Sequence, residues 1–251
     1  MESLEEGAAM DEGGTGRAKK HGKLFYLGIV VFLIIGLISL SMLVNTFSEA
    51  GKKTISVPMA FPVVAIIVFY ERAVRGRDLS EVGVKRENFW RNVGIGVLLA
   101  FFGFFGMFAA VNLVIPGLME EISGRAETIS SLLRSGFPFP LNYILQTIYA
   151  FTLLAPAEEL LFRGFIQGKL QKWMNVYLAI IIQSILFGLA HGIPVYVMGL
   201  SIVHSVGYGL VGFFGGILLG ITFYKTDNSI VAPWIAHAIS DSPLALLIFG
   251  A

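Results

Sequence analysis

The sequence predicts an all-α polytopic membrane protein, a bundle of seven or eight transmembrane helices. Of its 251 residues, 55% are hydrophobic and 14% charged, whereas a soluble domain is nearer a quarter charged. The mean hydropathy is +0.76. Apolar runs recur at lengths near the roughly 20 residues a helix needs to cross a bilayer. With no internal repeat, these runs form one transmembrane domain over 23–251 behind a polar tail at 1–22.

Taken in order, residues 1–22 are glycine-rich, with Glu2, Glu5, Glu6, Asp11 and Glu12 ahead of Arg17, Lys19 and Lys20. They have no apolar core and read as a disordered tail. The run 24–47 is too long for a signal-peptide core and no small-residue cleavage pattern follows it, so it reads as a retained first span. Further spans are expected at 55–70, 92–115, 140–157, 176–190, 195–224 and 229–250. The 195–224 run holds glycines at 199, 207, 209, 212, 215, 216 and 220, and a break there into two shorter helices would make eight spans. Glycines in such a run also let helices pack closely. With seven spans, the tail and loops 71–91, 163–175 and 225–228 share one side and carry fourteen Lys and Arg. The opposite side carries Lys52, Lys53, Arg125 and Arg134. That bias predicts a cytoplasmic N-terminus in a multi-pass cell-membrane protein.

Several function classes drop out on composition. The net charge is +1 and no basic stripe appears, so no nucleic-acid partner is expected. There is no cysteine, which excludes a disulfide framework, a thiolate nucleophile and any cysteine metal site.

Against this apolar background four ionisable residues stand out: Glu158, His191, His237 and Asp241. A charge inside a bilayer costs roughly 2.5–3.5 kcal/mol on insertion scales, so it is rarely kept without a task. They belong to three patterns, Glu158-Glu159-x-x-x-Arg163, Phe187-x-x-x-His191 and His237-x-x-x-Asp241. Helical residues four apart share a face, so Glu159 and Arg163 are placed to pair. Glu158 is about 100° away around the axis. A carboxylate without a partner in apolar surroundings is suited to general-base work, which makes Glu158 chemical and the Glu159–Arg163 pair a brace. A charged helix end at the membrane surface would look the same.

If the helix bearing Glu158 runs to about Gln171 and turns near Trp173–Asn175, the next helix returns antiparallel. His191 then reaches the depth of Glu158, with Phe187 one turn earlier able to orient its ring. His237 and Asp241 also share a helix face, either as a bracing pair or as a second catalytic wall. His204, among Ser201, Ser205 and Gly207, reads as structural or substrate-adjacent, and His21 lies in the tail. The chain has no His-Glu-x-x-His, no Gly-x-Ser-Gly, no intramembrane Gly-x-Gly-Asp and no Walker loop. What remains is a bundle with an intramembrane catalytic site built from carboxylates and imidazoles.

As a set, the three motifs resemble those of the CAAX protease and bacteriocin-processing family of intramembrane glutamic endopeptidases, which includes the Ras-converting CAAX prenyl endopeptidases. That family's pattern is Glu-Glu-x-x-x-Arg, Phe-x-x-x-His and His-x-x-x-Asn or Asp. Ala155-Pro156 before the double glutamate and Phe162-Arg163-Gly164 within it also fit, and the likeness covers about 140–245. It implies an endopeptidase cutting near the C-terminus of a lipidated, CAAX-type prenylated or membrane-associated peptide or protein. Glu158 and His191 would activate water, His237 and residue 241 would stabilise the oxyanion, and Arg163 would brace Glu159. No cofactor is implied.

Position 241 is Asp here, and an ionised Asp repels an oxyanion, whereas a protonated one can donate to it. Asp241 therefore carries a proton, or orients His237, or joins Glu158, His191 and His237 as metal ligands. Two other readings compete with the peptidase: a non-enzymatic scaffold or bacteriocin self-immunity protein of the same fold, and a proton-coupled transporter. Transporters usually show paired broken segments in two halves, and 24–115 has no counterpart of the polar set.

Overall fold

A computed structural model describes residues 56–118, 138–197, 199 and 201–243, and among them the only regular structure is helical. The expected tail, the first span at 24–47, most of the 116–139 loop and the end of the last span lie outside the described residues. The first helix, α1, is Ser56–Phe69, closed by a wider π-type turn at Tyr70–Val74. A basic loop with a short 3-10 turn at Leu79–Val82 leads to α2 (Phe89–Leu98), which continues through Leu99–Phe104 into α3 (Phe105–Val114).

The chain then forms one continuous helix over 141–170. It comprises α4 (Leu141–Tyr149), α5 (Ala155–Glu159) and α6 (Gly168–Leu170), joined by π-type turns at Ala150–Leu154 and Leu160–Gln167. Pro156 has no N–H to give the preceding turn, which accounts for the widening just ahead of it. This helix corrects the expected division into a span at 140–157 and a loop from 163. Arg163 is not a loop residue but is fully buried in mid-helix. The helix is not uniformly apolar because its polar side chains Glu159, Arg163 and Gln167 face the protein interior.

After the turn at Trp173, Asn175 accepts a hydrogen bond from the Tyr177 N–H at 2.9 Å and starts α7 (Val176–Val197). Residues 195–197 of the expected 195–224 span belong to α7, whereas Ser201 caps α8 (Ile202–Lys225), which runs unbroken through the glycines at 207–220. Its glycines serve close packing: a Cβ on Gly216 would sit 3.0 Å from Ser184. Asp227 and Asn228 adopt left-handed backbone angles that short polar side chains tolerate, and the chain reverses into α9 (Val231–Ser240).

Three helices among the described residues are long and apolar enough to cross a membrane: Phe89–Val111, Val176–Tyr196 and Ile202–Lys225. Their outer faces carry exposed Ile181, Ile185 and Leu189 on α7 and Val206, Leu210 and Phe214 on α8. Apolar stripes of this kind match a hydrocarbon solvent. The inner core gathers Ile67, Val82, Phe162, Phe165, Phe187 and Phe223. The loop at 79–83 is packed into this core, because Gly164 lies directly under the Val82 carbonyl and would have no room for a Cβ.

Candidate active site

The two adjacent glutamates have opposite surroundings. Glu159 is sealed, with no side-chain exposure, and its Oε1 accepts from Arg163 Nη1 at 2.7 Å and faces His237 Nδ1 at 2.7 Å. A carboxylate only accepts, so His237 Nδ1 carries the hydrogen of that bond. The Arg163 guanidinium lies 4.3 Å above the Phe187 ring, a desolvated cation–π contact of about 2 kcal/mol. Glu158, one residue earlier, keeps 29% of its side chain exposed, and its Oε2 has no hydrogen-bond partner among the described residues.

His237 joins the sealed and open layers. Its ring is almost fully buried, and Nε2 faces Asp241 Oδ2 at 3.2 Å and Glu158 Oε2 at 3.8 Å. Asp241 is one-third exposed and so belongs to the open layer with Glu158. Both imidazole nitrogens therefore meet carboxylates, an arrangement that suits a doubly protonated ring. Two carboxylates thus face the His237 ring, Glu159 on the Nδ1 side and Asp241 on the Nε2 side.

His191 reaches the site from α7. Its Nδ1 lies 2.8 Å from the Phe187 carbonyl, which can only accept, so Nδ1 is the protonated nitrogen and Nε2 presents a lone pair. Phe187 is the hub, with ring centroids 4.3 Å from His191, 5.7 Å from His237 and 4.9 Å from Phe162. His191 on α7 and His237 on α9 thus flank one aromatic ring, and Glu158 and Asp241 face the Nε2 side of His237. His204, by contrast, sits in the first turn of α8, where its backbone N–H meets the Ser201 hydroxyl.

Residues 140–242 match the Rce1-like family, described as type II CAAX prenyl endopeptidase Rce1-like. The matched segment contains all three motifs and coincides with the resemblance read from them. The match supports a protease of this family. Together with the three apolar helices it supports a membrane protein. No curated protein and no solved structure matches the chain.

Among the described residues, no three His, Asp or Glu side chains are disposed to hold a metal ion. Two cavities of about 370 and 350 Å³ lie elsewhere, one beside Lys85 and Asp227 and one on the outer face between α7 and α8. Sequence reasoning missed Tyr208, whose ring stands edge-on to His191 with centroids 5.5 Å apart. Nothing in the spacing signals this, since Tyr208 lies on a different helix.

Proposed function

We propose that this protein is a multi-pass intramembrane endopeptidase with a cytoplasmic N-terminus. It hydrolyses a peptide bond near the C-terminus of a lipidated, CAAX-type prenylated or membrane-associated substrate, using water activated by Glu158. The observation that carries this reading is the sorting of the paired glutamates: one sealed in a bonded cluster, its neighbour open and uncommitted.

The chemistry follows from the acceptors. A water between Glu158 and His191 Nε2 can donate one hydrogen to each, leaving an oxygen lone pair for the scissile carbonyl carbon. The new C–O bond forms, the carbonyl electrons move onto its oxygen, and Glu158 takes the water proton. When the C–N bond breaks, Glu158 returns that proton to the departing amine. No acyl-enzyme forms. Glu159 fixes the His237 ring through Nδ1, and Arg163 neutralises Glu159, so that His237 Nε2 stays directed at the reacting carbonyl. Phe187 holds both imidazoles at their mutual angle.

The test is a quenched-peptide assay on purified protein, with a farnesylated CAAX-type peptide and its unlipidated twin, with and without chelator. Cleavage that prefers the lipidated peptide and ignores chelator is expected. Chelator sensitivity would recast the four polar residues as metal ligands. Cleavage of neither peptide would favour the scaffold reading.

A further inference from the structure

The proposed reaction develops negative charge on a carbonyl oxygen, yet the site is rich in acceptors and poor in free donors. Glu158 and Asp241 are carboxylates, and His191 spends its one N–H on the Phe187 carbonyl at 2.8 Å. Arg163 is sealed against Glu159 with no exposure. His237 Nε2 already faces Asp241 at 3.2 Å. A carboxylate at 241 competes for that hydrogen, where an asparagine would have added an amide donor.

One neutral donor stands beside His191. The Tyr208 ring stands edge-on to His191, with centroids 5.5 Å apart at 62°. Tyr208 on α8 and His191 on α7 therefore stand side by side across the contact between the two helices. Tyr208 is half-buried and makes no hydrogen bond through its hydroxyl among the described residues.

The seat is also rigid. A Cβ on Gly188 would meet the Gly209 carbonyl at 2.6 Å, one on Gly192 the Ser205 carbonyl at 2.8 Å, and one on Gly212 the His191 Cβ at 3.1 Å. These glycines bring α7 and α8 into backbone contact around Tyr208 and His191, which fixes the phenol relative to the imidazole.

We propose that Tyr208 is a further catalytic residue, its O–H donating a hydrogen bond to the oxyanion of the tetrahedral intermediate. This rests on the peptidase reading above. The donor stabilises charge that exists only after water has added, so it acts on turnover rather than on substrate binding.

The test is Tyr208→Phe in the farnesylated-peptide assay beside wild type and Glu158→Gln, with kcat and KM separated and the unfolding temperature recorded. Phenylalanine keeps the ring against His191 and removes only the hydroxyl. A fall in kcat of about 10²-fold with KM nearly unchanged is expected. A kcat within about threefold of wild type, while Glu158→Gln is silent, would overturn the assignment and leave the peptidase reading intact. A changed KM at constant kcat would overturn it too, making Tyr208 a binding residue. A wild type that cleaves nothing would instead remove the peptidase reading itself. Should Tyr208→Phe fold poorly, a fluorotyrosine at 208 replaces it. Its kcat must then move with the acidity of the phenol, and a constant rate rejects the proposal.

Discussion

A close helix contact beside His191 sets up a graded steric experiment. Gly188 on α7 packs under the Gly209 carbonyl of α8, and an added Cβ would lie 2.6 Å from that oxygen, against 3.4 Å for ordinary contact. Gly188→Ala must therefore part the helices by up to about 0.8 Å, the difference between those distances, because backbone cannot rotate away. Gly212→Ala meets the Gly188 Cα and His191 Cβ at 3.1 Å and asks for only about 0.3 Å on the same reckoning.

His191 is one turn beyond Gly188, so parting the helices displaces the imidazole from the groups on α8 and helix 141–170. A misplacement near 1 Å costs on the order of 10²-fold in rate. Gly188→Ala is expected to lose roughly that much kcat, and Gly212→Ala only a few-fold. Alanine raises intrinsic helix propensity by about 1 kcal/mol over glycine, so loss of helix does not explain the effect. Gly94 on α2 has nothing within 4 Å of an added Cβ, and Gly94→Ala serves as the neutral control. The assay is steady-state peptide cleavage with circular dichroism on the same samples. Wild-type kcat in Gly188→Ala, or equal losses in Gly188→Ala and Gly212→Ala, would refute the claim that this backbone contact sets the site's geometry.

Other perturbations address the charges. Arg163→Met leaves the fully buried Glu159 carboxylate with His237 alone, and breaking such a pair costs about 3–5 kcal/mol. Adding Glu159→Gln should restore more than half of that loss in an unfolding titration, and no restoration would show that the pair is not the source. Asp241→Asn exchanges an oxyanion-repelling oxygen for an amide donor and is expected to retain cleavage, whereas a metal-ligand role predicts its abolition.

Outside the membrane segments, the Lys172 hydrogen bond to Glu81 and the Lys172 charge, followed by Arg77, hold the Glu81 carboxyl below its usual value. A depressed carboxyl stabilises above its unfolded value and loses that contribution as pH falls. The pair is exposed, so Glu81→Gln should cost less than about 1 kcal/mol at pH 7. The difference should vanish as pH falls below about 4. A gap that persists at lower pH would assign the effect to packing.

The sequence made the site's composition legible because charge in an apolar run is costly enough to be conspicuous, and because i,i+4 spacing fixes which residues share a face. The Glu159–Arg163 pair, the Phe187–His191 stacking and the His237–Asp241 pair all occur at the spacing that suggested them. The turn near Trp173 likewise sits where antiparallel depth-matching required it. What spacing could not show is contact between distant segments. Glu159 as the acceptor for His237 Nδ1 joins residues on separate helices, and the Tyr208–His191 contact depends on how α7 and α8 approach through their glycines. Charge alone places Arg163 among the basic loop residues and does not reveal that its guanidinium is sealed against a carboxylate. The unbroken course of α8 followed the same logic: its glycines are satisfied by close neighbours, so they do not interrupt the helix.

The central claim is that two consecutive glutamates divide chemistry from structure, and comparing Glu158→Gln with Glu159→Gln tests it most directly. Farnesylated-peptide cleavage and unfolding stability would be measured on both proteins. The account predicts that Glu158→Gln keeps wild-type stability and loses kcat by at least about 10²-fold. Glu159→Gln should lose stability and retain measurable turnover. Near-wild-type cleavage by Glu158→Gln, or a stable but inactive Glu159→Gln, would contradict it.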